Sequence, residues 1–145
     1  FRTNDAGIDQ LRSIMAPQGV DLVVFDLPVW KGETACLHLL SLISPLDYNL
    51  ALVFRHLIPV ALNELLRDCG ITCLEAPEEE FVTSRGLSLN VLATSPRVCI
   101  AIDGFPATAR LMTEAGCEVT TFPGDHLCIP CEGGPTCLTR PILRD

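Results

Sequence analysis

The sequence predicts an α/β (α+β) fold assembled from a repeated strand–strand–helix–strand unit. Two observations carry that expectation. A helical pattern, a glycine, an apolar strand and a proline follow one another three times, ending at Pro28, Pro77 and Pro123, at intervals of 49 and 46 residues. Each pass is too small to bury both faces of its strands, so the passes must stack in an array. A doubly wound nucleotide-binding sheet is disfavoured, because no Gly-rich phosphate loop follows any strand.

The elements can be taken in order. Ile8, Leu11, Ile14 and Met15 mark the first helix, and Gly19 suits a left-handed C-cap. A strand is expected from Val20 to Pro28. Another is expected over residues 37–44, turning at Pro45-Leu46-Asp47 into a partner over 50–54. Leu62, Leu65 and Leu66 mark the second helix, with Pro59 near its start, where a missing N–H costs nothing, and Gly70 at its end. A strand follows to Pro77. Glu78-Glu79-Glu80 then reads as a solvated loop. Residues 87–94 and 98–102 form the next strand pair around Ser95-Pro96. Pro106 opens the third helix, which carries Ala109, Leu111, Met112 and Ala115 and ends at Gly116 before a strand to Pro123. A last strand is expected over 136–141.

Composition sets the outer limits. With 145 residues, 48% hydrophobic and 19% charged, the chain is globular and long enough for a real core, read as one domain over residues 1–145. Its apolar runs, at 21–30 and 37–46, are too short or interrupted to span a bilayer, and no secretory signal is visible. The net charge of −8 argues against nucleic acid, whose phosphates need a cationic surface. The chain opens on Phe1-Arg2-Thr3-Asn4 without an initiator Met, so a partial domain is expected. Eight cysteines without a secretion signal point to reduced thiols and a cytoplasmic protein. Cys36, Cys69, Cys99 and Cys117 are expected to be reduced and mostly buried. Cys128-Ile129-Pro130-Cys131 would be half a zinc site, but no second such pair or paired His accompanies it, so no metal is expected.

The strongest local signal is Glu132-Gly133-Gly134-Pro135-Thr136-Cys137. The glycines let backbone approach a ligand closely, and a Cys just after them would face a pocket; the bland alternative is a buried Cys after an ordinary turn. His38 stands among leucines, where a histidine is usually a satisfied core residue. His56 and His126 read as solvated loop residues. Position gives His38 more weight. It begins the post-loop strand of the first pass, and Cys137, 99 residues later, begins its counterpart in the third. Units ringed about one axis would bring the two together, the minimum for thiol catalysis.

Arg2-Thr3-Asn4, Leu37-His38-Leu39 and the Glu132–Cys137 run occur in the order and spacing of dimethylarginine dimethylaminohydrolases, and Leu89-Asn90-Val91-Leu92 also resembles the matching segment of those enzymes. Arginine deiminases and glycine amidinotransferases share the wider pattern. The resemblance covers nearly the whole chain and identifies it with the C-terminal part of the guanidine-modifying, pentein superfamily. It implies an incomplete five-bladed β/α-propeller, with about three of five ββαβ units present. It also implies Cys137 as nucleophile toward a guanidinium carbon and His38 as general acid/base. Arg2 would hold a substrate α-carboxylate, Glu132 would lie beside the substrate, and no cofactor would be required. The expected substrate is a small guanidine such as methylated arginine, hydrolysed at a C–N bond; an amidinotransferase or an arginine deiminase remains the alternative. Arginine deiminases carry Asp two positions after the His, where this sequence has Leu40, which disfavours unmodified arginine. The family's carboxylate that orients the His lies upstream of the Arg-Thr-Asn motif, outside these residues, so the isolated chain is expected to be inactive. A non-catalytic binding or scaffold protein is the reading from another class.

Overall fold

The computed structural model describes residues 3–32, 38–140 and 142. Helix α1 (Asp5–Met15) starts at Asn4, whose side chain accepts the Gly7 N–H at 3.0 Å, satisfying one of the donors a helix start leaves unpaired. A 3-10 turn (Ala16–Gln18) and Gly19 end it. Residues 20–30 then run without a ladder partner, so the strand expected there does not form. The pairing rule of the rest of the chain gives the reason. Each strand that follows a crossover helix pairs in parallel with the strand before that helix, and among the described residues no strand precedes α1.

Two complete units follow. In the first, β1 (Ile43–Asp47) pairs antiparallel with β2 (Leu50–Val53), α2 (Val60–Asp68) crosses over, and β3 (Thr72–Glu75) returns parallel to β2. After α3 (Glu78–Thr83), the second unit repeats the order with β4 (Leu92–Ser95), β5 (Val98–Ile102), α4 (Pro106–Glu114) and β6 (Glu118–Phe122). The central strand β2 is buried at all four positions, as a strand covered on both faces must be. Gly70 and Gly116 have φ values of 70° and 86°, and the next residue's N–H reaches back over the helix end (Ile71 to Leu66, Cys117 to Met112), closing α2 and α4 as their spacing predicts.

Three expectations change. Of the strands expected over 37–44, 87–94 and 136–141, the described residues 38–42, 87–91 and 136–140 are not strand. A single 3-10 turn at Leu39–Ser41 precedes β1, another at Leu87–Leu89 precedes β4, and the third position is the short helix α5 (Pro135–Leu138). Periodicity cannot separate a helical turn from a strand start in so few residues. Pro45 lies within β1 opposite Ala51, not in the turn; β1 is the outer strand of its sheet and its register shifts beside Pro45, a setting that tolerates a residue without N–H. Glu78-Glu79-Glu80 is no loop but the first turn of α3, where three carboxylates favour the positive end of the helix.

One apolar cluster spans both units. It includes Leu42, Leu46 and Leu52 from the first and Leu89, Cys99 and Met112 from the second, all fully buried. Phe54, just after β2, stacks on Phe81 of α3 with ring centroids 3.7 Å apart, and Trp30 packs on Phe81 from the unpaired segment. The units are also joined by polar side chains. Arg97, in the β4–β5 turn, meets Asp47 Oδ2 at 2.7 Å through Nε and the Ala115 carbonyl at the end of α4 through Nη1. Glu80 receives the N–H groups of Ala107 and Thr108 at 2.8 Å each and the buried Thr108 hydroxyl at 2.6 Å, capping α4 from the preceding unit.

Cys99 and Cys117 are buried and free, as expected. Cys69 is free but exposed at the C-cap of α2, against expectation, because the helix end turns it outward; Cys36 lies outside the described residues. Among the described residues, no helix is long and apolar enough to cross a membrane.

Candidate functional site

The Cys137 turn is delivered by a run of tight turns. Ile129 N–H bonds the Gly124 carbonyl, Cys131 that of Leu127, and Gly133 that of Cys128, at 3.0–3.1 Å. The chain then meets Asn90, between the 87–89 turn and β4. A Cβ on Gly134 would stand 2.6 Å from both Cβ and Cγ of Asn90, closer than two carbons can approach, so only glycine fits. Pro135 begins α5 at a position where no N–H is missed.

Asn90 holds the turn that follows. Its Oδ1 accepts the Thr136 N–H at 2.9 Å, and its Nδ2 donates to Cys137 Sγ at 2.9 Å. The Thr136 hydroxyl donates to the Val91 carbonyl at 2.9 Å, beside the same asparagine. Cys137 is exposed. Its sulfur is thus held on one side while the residue stays open to solvent, the combination that a nucleophile needs and a core cysteine lacks.

His38 is half-buried just before the 39–41 turn, in extended backbone, with Nε2 3.1 Å from Ser41 Oγ. Three residues beyond Ser41, buried Ser44 of β1 donates to the Leu89 carbonyl at 2.6 Å and accepts the Val91 N–H at 3.3 Å, gripping the backbone on both sides of Asn90. A hydrogen-bonded seam therefore links the unit that carries His38 to the turn that carries Cys137, through Ser44 and Asn90. His56 and His126 are exposed, and His56 sets its ring edge-on to Phe54.

Glu132 immediately precedes the two glycines and adopts φ 52°, in the left-handed region. Its carboxylate lies 3.0 Å from Arg85 Nη1; both side chains are largely exposed, so the pair contributes little to stability. It does show that a guanidinium reaches this carboxylate. Arg2 lies outside the described residues. Leu40, two positions after His38, is exposed.

Two site residues, Asn90 and Ser44, escaped the sequence reading as members of the site. The available signal was a lone polar residue inside an apolar run, which when buried must find partners. The CxxC pair is split by environment: Cys131 is exposed, whereas Cys128 is buried, and burial, then the neighbouring Cys131 and Cys137, pushes its thiol up. Among the described residues, no group of three or more His, Cys, Asp or Glu side chains is arranged to hold a metal ion.

Comparison with known proteins bears on the fold. No family model matches the chain. An arginine deiminase of Mycobacterium avium (strain 104) is 25% identical over 169 aligned positions, covering 99% of this chain and 42% of the relative. Among solved structures, SxtG, an amidinotransferase from Microseira wollei in the saxitoxin biosynthetic pathway, superposes with TM-score 0.81 at 19% identity over 98% of this chain and 42% of its own. DDAH from Pseudomonas aeruginosa, a mutant complexed with citrulline, gives 0.68 at 22% identity over 94% of this chain and 47% of its own. The inosamine-phosphate amidinotransferase of Streptomyces griseus gives 0.66 at 21% identity, covering 92% and 38%. The chain thus spans less than half the length of each. Its mixed α/β architecture with two small mixed sheets is the fold it shares with these solved structures.

Proposed function

We propose, with that kinship as premise, that this chain carries the nucleophile and the proton carrier of an enzyme that breaks a C–N bond in a small guanidine. The observation that carries the reading is the exposed Cys137, its sulfur held by Asn90 at a turn whose glycine admits no side chain. A guanidinium carbon is a poor electrophile because its charge is delocalised, so attack needs a thiolate and departure of the amine needs a proton. Cys137 Sγ forms the bond to the guanidinium carbon. The C–N bond to the departing amine breaks as His38 supplies a proton, leaving an amidino-thioether. His38 then takes a proton from water, the oxygen adds to the same carbon, and the thiol leaves with a ureido product.

Arg2 would anchor a substrate α-carboxylate, and Glu132, which already holds one guanidinium, would face the substrate's. Leu40 offers no carboxylate to grip an unsubstituted guanidinium, which favours an alkylated guanidine such as methylated arginine. The seven described cysteines are free, which favours a cytoplasmic location. An amidinotransferase would use the same thioether and pass the amidino group to an amine.

The test is turnover of methylated arginine by any longer natural protein containing this chain, with and without an acceptor amine. Wild type should release alkylamine, and Cys137→Ser should reduce turnover by at least a thousandfold, since a hydroxyl is a far weaker nucleophile here. Wild-type turnover by Cys137→Ser would end the proposal. Amidino transfer exceeding hydrolysis would select the transferase.

A further inference from the structure

We propose that Asn90 is a positioning residue for the Cys137 thiol, contributed by the neighbouring unit; the inference rests on Cys137 being the nucleophile. Asn90 is 6% exposed, and both ends of its amide are engaged. The orientation of that amide is settled by its partners. The Thr136 N–H can only donate, so the oxygen must face it, and the NH2 group therefore faces the sulfur.

A side chain that merely fastened α5 would need the oxygen alone. The second half of the amide, aimed at Sγ, offers a donor that a sulfur bearing negative charge accepts better than a neutral thiol does. The arm is also rigid. Ser44 grips the backbone on both sides of Asn90, the Asn90 N–H bonds the Leu87 carbonyl at 3.0 Å, and Gly134 packs directly against the amide. The glycine at 134 and the asparagine at 90 are thus one feature: the loop lacks a side chain there because the amide that holds the thiol fills the space.

The discriminating variant is Asn90→Asp. It keeps the shape and the acceptor for Thr136, but turns an oxygen instead of an N–H toward the sulfur. Iodoacetamide labelling is followed across pH in the chain as it stands, with each cysteine read by peptide mass spectrometry. At pH 7.5 Cys137 should label at least tenfold more slowly in Asn90→Asp than in wild type, with the lost rate recovered as pH is raised. Exposed Cys131, in the adjoining turns, should label at its wild-type rate and serves as the internal standard. Should the carboxylate prevent folding, Asn90→Ala adds no charge and should again slow Cys137 but not Cys131. An unchanged or faster Cys137 rate in a folded variant would overturn the inference. Because labelling involves no guanidine, failure of the nucleophile reading is seen separately, as wild-type turnover by Cys137→Ser.

Discussion

Glu80 joins the two units through a charge rather than through apolar contact, and its removal has a calculable cost. Its carboxylate accepts three hydrogen bonds at the start of α4, from the backbone of Ala107 and Thr108 and from the hydroxyl of Thr108, a residue only 1% exposed. Glu80→Ala leaves that hydroxyl and two N–H groups without their acceptor. Loss of a helix cap costs about 0.5–2 kcal/mol, and an orphaned buried donor about 1–3 kcal/mol. Water can reach part of this half-buried site, so a total of roughly 2–3 kcal/mol is expected rather than the full sum. For a chain of this size that lowers Tm by roughly 4–12 °C. Glu79→Ala, exposed on the same turn, should stay within about 0.5 kcal/mol. Thermal and urea unfolding followed by circular dichroism measure both, and equal losses would refute the capping role. The effect should also depend on pH. Partial burial alone pushes the Glu80 carboxyl up, but the bonds from Thr108 and Ala107, and then the Arg110 charge, outweigh it and hold the group below its ordinary 4.5. A carboxyl lowered by folding stabilises fully above the unfolded value and loses its contribution as pH falls through the folded one. The gap between wild type and Glu80→Gln should therefore be widest near neutrality and close below pH 4.5; a gap that widens in acid would reverse the sign of the argument.

Three further outcomes are expected. His38→Ala should slow turnover severely yet allow a covalent Cys137 adduct to accumulate, because attack needs less proton assistance than hydrolysis; intact-protein mass spectrometry would show it, and wild-type turnover would remove His38 from the mechanism. Arg97→Met should cost about 2–3 kcal/mol in urea unfolding, since it leaves Asp47, whose side chain is 13% exposed, without its cation; a loss within about 0.5 kcal/mol would show the joint to be incidental. Burial, then the neighbouring Cys117, pushes the Cys99 thiol up to about 12, so Cys99 should resist iodoacetamide at neutral pH in the native chain; rapid native labelling would contradict its place in the core.

The sequence made legible what repeats locally. Helices α1, α2 and α4, their glycine caps, and the partner strands beginning at Leu50 and Val98 follow from apolar spacing and from Gly and Pro placement. The errors have a common physical origin. Among the described residues no strand precedes α1 for the segment after Gly19 to pair with, and pairing is something that no local window contains. The turns before β1 and β4 and at α5 occupy three or four residues, too few for a period of 2 to be told from one near 3.6. Residues 78–80 look like a charge run, but the same carboxylates after Pro77 are also a helix-start signal, and burial of Phe81 decides for the helix.

The candidate site was legible as motifs and illegible as geometry, and the reason lies in where its bonds run. The polar links between units connect Glu80 to residues 27 and 28 positions away, Asn90 to Cys137 across 47, and Arg97 to Asp47 across 50. Each reaches outside its own strand, helix or turn, beyond any pattern of helical or strand spacing. A helix of four residues such as α5 cannot hold itself in water, because nucleation costs more than one turn returns. Thr136 and Cys137 are instead fixed from Asn90 and Val91, at the head of β4. The placement of the proposed nucleophile is thus a property of the neighbouring unit. A change in how the units stack should reach the thiol even when α5 itself is untouched, and a change within α5 that spares the Asn90 contacts should not.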